Sequence, residues 1–147
     1  SSHFNFSVPE PSGVVGVVPT SDGSLAGLVS ALAPVIVGGN AAIILASMNS
    51  LSAITFAEVL ATSDVPGGVV NILTGKRDEL VPEFAKHMDV NAVVLCSDDR
   101  DERKTLDLES AENLKRTIHH SDTPLKKSPY HILDLQEIKT TWHPVGV

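Results

Sequence analysis

Gly13-Val14-Val15-Gly16-Val17-Val18, closed by Pro19, is a short apolar run bounded by turn residues, and runs of the same kind recur at Ala41–Ala46, Val69–Leu73 and Ala92–Leu95. Segments of this length, apolar almost throughout and rich in Val, Ile and Leu, suit strands that a sheet buries on both faces. Between them lie Leu25–Val37, Leu51–Ala61 and Arg77–Lys86, each long enough for a helix. In the first of these, Leu25, Leu28, Val29, Leu32, Val35 and Ile36 fall on one helical face, Pro34 marks a bend and Gly38-Gly39 the end. Strands alternating with helices predict an α/β fold with a parallel sheet, because a parallel return needs a crossover of a dozen or so residues.

Outward from this block the signals weaken. Pro9 and Pro11 make residues 1–12 an extended lead-in, since each proline keeps its predecessor out of the helical region. Ser21, Asp22 or Ser24 is expected to cap the first helix, and Ser50 or Ser52 the second. Val65-Pro66-Gly67-Gly68 reads as a turn. Leu108–Ile118 reads as a helix running into a fifth strand near Arg116–His120, which closes a domain over residues 13–122. Residues 123–147 are then a basic, proline-containing loop, Thr123–Ser128, followed by a tail from Tyr130 to Val147. The tail alternates partially and holds the single Trp. It is expected to lie along the edge of the sheet, or against a neighbour in an oligomer, and so to bury Trp142.

Composition narrows the function classes. Apolar residues are 42% of the 147 and aromatics 4%, which favours an aliphatic sheet-and-helix core. A formal net charge of −7 disfavours nucleic acid, because phosphate neutralisation needs clustered Lys and Arg. The single cysteine, Cys96, leaves no internal disulfide and no multi-cysteine metal site, and a reducing, cytoplasmic compartment is expected. Asn40, Asn49 and Ser50 interrupt the most apolar region, so no membrane span is expected, and residues 1–8 lack the basic start and apolar run of a signal peptide. A chain that starts at Ser rather than Met is expected to belong to a longer protein.

His119-His120, with His87, His131 and His143 elsewhere, raises a metal reading. Neighbours on a strand point to opposite faces, and no pair at i and i+4 supports it, so a solvated pair and no metal are expected. Asp98–Glu102 lacks the glycine and alternating ligands of a calcium loop and reads as a solvated helix start. Lys126-Lys127 with Lys115 and Arg116 reads as exposed charge. No Gly-x-Ser-x-Gly elbow occurs, which leaves a hydrolase without support. Tyr130 and Trp142 are as well suited to an interface as to packing within the domain.

Four motifs carry a resemblance: Pro11-Ser12-Gly13-Val14-Val15-Gly16-Val17-Val18-Pro19; Ala33-Pro34 with Gly39-Asn40; Ser63-Asp64-Val65-Pro66-Gly67-Gly68-Val69-Val70-Asn71-Ile72-Leu73-Thr74-Gly75; and His87-Met88-Asp89-Val90. In order and spacing they resemble the coenzyme-binding domain of aldehyde dehydrogenases, over about Pro9 to Ser97. The resemblance implies a Rossmann-like parallel sheet with helices on both faces, here followed by a C-terminal extended tail. Ala111-Glu112-Asn113-Leu114-Lys115-Arg116 and Lys139-Thr140-Thr141-Trp142-His143-Pro144 resemble the end of the degenerate carboxy-terminal module of family-sixteen aldehyde dehydrogenases, in which two dehydrogenase-like units share one polypeptide.

By the same resemblance Pro19, Ser47 and Gly75 are the positions that would touch NAD or NADP, and the departures make them vestigial. Active relatives follow the first strand with Trp and Asn, whose amide stabilises an oxyanion; here Thr20, Ser21 and Asp22 follow Pro19. A Lys-Pro-Ser-Glu motif that holds the adenosine ribose is replaced by Leu45-Ala46-Ser47-Met48. The Thr-Gly-Ser turn that receives the pyrophosphate is replaced by Cys96, Ser97 and Asp98, with Asp99 next. The family's glutamate base and nucleophilic cysteine lie beyond the matched region, so no catalytic residue is assigned, and Cys96, without a basic neighbour in sequence, reads as structural. The expectation is a non-catalytic unit with no cofactor of its own. It would have a structural or assembly role beside an aldehyde dehydrogenase catalytic module or a second copy of itself, within a longer NAD(P)-dependent oxidoreductase. The alternative is an autonomous dinucleotide-binding domain with a modified phosphate turn.

Overall fold

The computed structural model describes residues 3–146. In chain order the elements are β1 (His3–Pro11), β2 (Val14–Val18), α1 (Leu25–Val37), β3 (Ala41–Ala46), α2 (Ser50–Ala61), β4 (Val70–Thr74), α3 (Arg77–Lys86), β5 (Ala92–Cys96), α4 (Arg100–Ala111), β6 (Arg116–His120), α5 (Tyr130–Leu133) and β7 (Gln136–Pro144). Strands β2 to β6 form one parallel sheet in the spatial order β4-β3-β2-β5-β6. Counting only these strands, the order is third, second, first, fourth, fifth, the doubly wound arrangement with its reversal between β2 and β5.

Period-two alternation splits the apolar strands between two layers. Val15, Val17, Ile44 and Val94 pack with Leu28, Leu32 and Val35 of α1 and Ala53 of α2. Val18, Leu45, Val93 and Leu95 face the other way, against Val81 and Phe84 of α3 and Leu106 of α4. The α/β fold with helices on both faces therefore stands as read from the sequence. Among the described residues no helix is long and apolar enough to cross a membrane.

Ser24 caps α1, its hydroxyl accepting from Gly27 N at 3.0 Å. At α2 the cap position is Asn49 in the left-handed region, without a side-chain capping bond, rather than Ser50 or Ser52. The fourth helix is Arg100–Ala111, earlier than the Leu108–Ile118 expected. Only Leu106 and Ser110 of it are buried, so a charged run is its solvent face, and the chain leaves it through Leu114 at φ 53°.

The tail departs most from expectation. It does not lie along the parallel sheet; β7 pairs antiparallel with the lead-in strand β1 from His3↔Pro144 to Pro11↔Gln136, forming a separate two-stranded ribbon. Trp142 is 68% exposed rather than buried. The physical reason lies at the root of the ribbon, where the two strands are held side by side. Asn40, 2% exposed, accepts from Gly13 N at 2.9 Å and donates to Val35 O and Leu135 O. Arg116 donates to Asp134 O and Gln136 O and pairs with Glu137 at 2.7 Å. Gly13, at φ 124°, turns β1 into β2 where a Cβ would sit 2.4 Å from Asn91 Oδ1. Leu135 completes the root, 1% exposed within the α1 layer.

Leu135→Ala should therefore cost about 2–5 kcal/mol, as for other large-to-small changes in a core. Urea unfolding measures it; a loss below about 0.5 kcal/mol, the range of ordinary surface changes, would show that the root is not packed into the core.

Candidate functional site

In an open α/β sheet the ligand crevice lies beyond the carboxyl ends of the strands, where the strand order reverses. Here that place lies between the ends of β2 and β5. Pro19 O ends one strand and Cys96 O the other, and a single side chain joins them. Arg77, at the start of α3, donates from Nη1 to Pro19 O and from Nη2 to Cys96 O, each at 2.7 Å. Its Nε and Nη2 also engage both oxygens of Glu102 on α4, at 2.6 and 3.2 Å. Both side chains are 18% exposed, so this fork is largely withdrawn from water and is the strong, charge-assisted kind of hydrogen bond.

A second arginine repeats the device one strand along. Arg103 Nε donates to Ser97 O at 2.6 Å and its Nη2 to His120 O at 2.8 Å, tying the ends of β5 and β6. The loop after β6 then reaches back: Asp122 accepts from Ser21 N at 2.7 Å and from Ser21 Oγ. Three neighbouring strand ends are thus closed by the chain's own side chains.

Between α3 and α4 a cleft of about 620 Å³ remains open. Asp78, Asp98, Asp99, Asp101, Glu102 and Asp122 stand in its wall with Arg77, which is already paired. At the start of α4 the Asp99 carboxylate accepts from Asp101 N and Glu102 N, so it occupies backbone donors that a bound phosphate would use. A diphosphate set in this cleft would meet carboxylates and a helix terminus already capped. Asp98–Glu102 is thus more than a solvated helix start, since Asp99 caps and Glu102 pairs.

The residues proposed from sequence are placed as follows. Pro19 is buried at the end of β2, where its carbonyl serves Arg77. Ser47, after β3, shares a nearly filled recess of about 10 Å³ with Pro19. Gly75, after β4, lies apart and exposed, and a Cβ there would come 2.6 Å from Leu80 Cδ1. Asp22 builds its own turn, accepting from Thr20 Oγ1 at 2.6 Å and Ser24 N at 3.0 Å, and these bonds hold its carboxyl below the usual range. Cys96 is fully buried, and burial pushes its thiol up to about 11 despite the nearby Arg77, a basic neighbour that only folding brings close. It is a protonated core residue at neutral pH.

Neither His119 nor His120 is merely solvated. His119 Nε2 lies 2.8 Å from Asp107 on α4, and His120, on the opposite face, stacks edge-on against His131 at 4.9 Å between ring centres. Among the described residues no group of three or more His, Cys, Asp or Glu is placed to hold a metal ion. Lys115 is buried and donates to His87 O and Val90 O, and Arg116 serves the ribbon, so the basic patch with Lys126-Lys127 does not assemble. Arg77 and Arg103 are the residues that sequence reading misses. Their signal is a cation directly after a strand-end turn and another inside an acidic run, and neither reveals its partner before folding.

Residues 1–121 match the Aldehyde dehydrogenase family. Aldehyde dehydrogenase family 2 member C4 of Arabidopsis thaliana is 32% identical over 117 residues, covering 78% of this chain and 23% of its own length. The NADP/NAD-dependent aldehyde dehydrogenase PuuC of Escherichia coli strain K12 is 30% identical over 110 residues, covering 74% of this chain and 22% of its own. Among solved structures, an indole-3-acetaldehyde dehydrogenase in apo form superposes with a TM-score of 0.75 at 29% identity, over 82% of this chain and 29% of that one. An E. coli NADP dependent enzyme, at 18% identity, reaches the same TM-score and so shares the fold. The chain spans about a quarter of the length of the relatives it matches.

The His120 environment sets a pH dependence. Burial lowers its imidazole below the ordinary 6.5, and His131 beside it acts in the same sense, as do Arg103 and His119, against Asp134. Below 6.5 the unfolded chain therefore binds more protons than the folded one, so this stability is present above that pH and is lost as pH falls toward the lower folded value. Urea midpoints should drop between about pH 7 and pH 5, and His120→Gln should flatten part of that slope; an unchanged slope would remove His120 as the cause.

Proposed function

The chain belongs to the aldehyde dehydrogenase family, and from that membership we propose that it is a non-catalytic unit of a longer NAD(P)-dependent aldehyde oxidoreductase, serving assembly instead of coenzyme chemistry. The observation that carries this reading is Arg77, whose guanidinium spans the β2 and β5 strand ends and pairs with Glu102. A side chain bonded there stands in for the ligand that the doubly wound fold ordinarily receives at its reversal. The carboxylates around the cleft and the self-capped start of α4 support the same reading. The kind of unit we have in mind is the degenerate carboxy-terminal module of the family-sixteen enzymes. Its contacts would be made through the β1–β7 ribbon, with a dehydrogenase catalytic module or a second copy.

The second reading, an autonomous dinucleotide-binding domain, draws on the 620 Å³ cleft alone. Calorimetric titration of NAD and NADP into the chain separates the two. No binding up to millimolar coenzyme is expected, with no aldehyde-dependent absorbance change for short or aromatic aldehydes; micromolar affinity would establish the second reading.

A further inference from the structure

Residues 122–135 lie beyond the stretch that matches the family and are this chain's own. They leave the carboxyl end of β6 and return alongside α1 to the root of the ribbon. Both ends of the run are tied down. Asp122 holds Ser21, and Leu135 is buried, with its carbonyl taken by Ser12 N and Asn40 Nδ2. Between these ties the run meets the domain at half-buried Leu125, whose N–H donates to Ser30 Oγ on α1 at 3.0 Å, and at α5, where His131 stands edge-on to His120 of β6. A groove of about 680 Å³ is left between it and Val29, Ala33 and Val37. A segment secured at its ends and bridged so sparsely in the middle opens more readily than the sheet beneath it.

The bridge answers to protons. The two imidazole rings are 4.9 Å apart between centres at an interplanar angle of 85°, and Nδ1 of His131 is buried with no partner among the described residues, so the contact is dry on that side. Two charged rings at this distance repel with little water between them to weaken the repulsion. Arg103 of α4 and His119 of β6 act on His120 in the same sense as His131; Asp134, just after α5, acts against them, and α1 carries no titratable side chain. Arg103 also holds the His120 carbonyl, so β6 stays and α5 is the side that moves.

We propose that residues 123–133 are an acid-released strap: charging of His120 and His131 breaks their contact, and the run lifts from α1 with both ends still tied, uncovering Leu125, Ile132 and the apolar side of α1. The sign follows from burial, which holds the His120 imidazole below the ordinary 6.5 while the strap is down. With the strap released the ring takes up its proton at that ordinary value. Closure is therefore complete above about pH 6.5 and weakens as pH falls toward the lower value, by no more than about tenfold per pH unit for one proton. Release of the strap comes first in mild acid, ahead of any unfolding of the parallel sheet.

Hydrogen exchange of the whole chain, read by mass spectrometry on its fragments and corrected for the intrinsic pH dependence of exchange, tests this. Protection of the fragment spanning 123–133 should fall between about pH 7 and pH 5, by up to about tenfold per pH unit, because a helix as short as α5 does not hold once undocked. Fragments from β2, β3 and β5 should keep theirs. His120→Gln should flatten the fall, and His131→Phe, which keeps an edge-on ring without a second charge, should move it to lower pH. His119→Gln, on the opposite face of β6 beside Asp107, should leave most of it in place. Strap protection that does not change with pH, or that is lost in step with β2, β3 and β5, would overturn the proposal. So would a fall that neither His120→Gln nor His131→Phe alters, or one that His119→Gln removes.

Discussion

The backbone carbonyls just beyond two neighbouring strands need partners, and in this chain Arg77 supplies them. Where the strand order reverses, the helices after β2 and β5 leave toward opposite faces, and the carbonyls of Pro19 and Cys96 are left facing a gap. Unmatched buried carbonyls are costly, so the gap must hold a ligand, water or a side chain. A guanidinium serves well because its planar fork has five donors, enough to reach both carbonyls and both oxygens of Glu102. The bond network then locks α3 to α4 through their charged ends as well as through Val81, Phe84 and Leu106 beneath.

The consequences spread along the same rim. Arg103 ties β5 to β6, Asp122 returns to Ser21, and Asp99 takes the first donors of α4. Each of these contacts satisfies a backbone polar group at the carboxyl ends of the strands or in the segments that follow them.

Strands β2, β3 and β5 were legible because each is apolar on both faces, a pattern that needs no partner to be read, and β4, interrupted by Asn71, was legible from its apolar run and the Pro66-Gly67-Gly68 turn before it. Helices α1 to α3 were legible from their lengths between the apolar runs and, for α1, from its apolar face, with α2 beginning one residue earlier than expected. α4 was not, since Leu106 and Ser110 are too sparse a stripe among charges to announce a helix. The ribbon escaped for a different reason: β1 and β7 are separated by more than 120 residues, and their pairing is decided by Asn40, Arg116 and Leu135 at its root. Leu45-Ala46-Ser47-Met48 after β3 and Cys96-Ser97-Asp98 after β5 could be read directly as departures from the motifs that the resemblance implies. The closing of the crevice could not, because it depends on Arg77 meeting carbonyls from two other strands.

The most direct measurement is the nuclear magnetic resonance signal of the Arg77 Nε–H, assigned by comparison with Arg77→Lys. The account predicts a resolved, slowly exchanging resonance, shielded by Glu102 and the two carbonyls, that does not move when millimolar NAD is added. A signal lost to rapid exchange with water, or displaced as NAD is titrated, would contradict a crevice closed by the chain's own arginine.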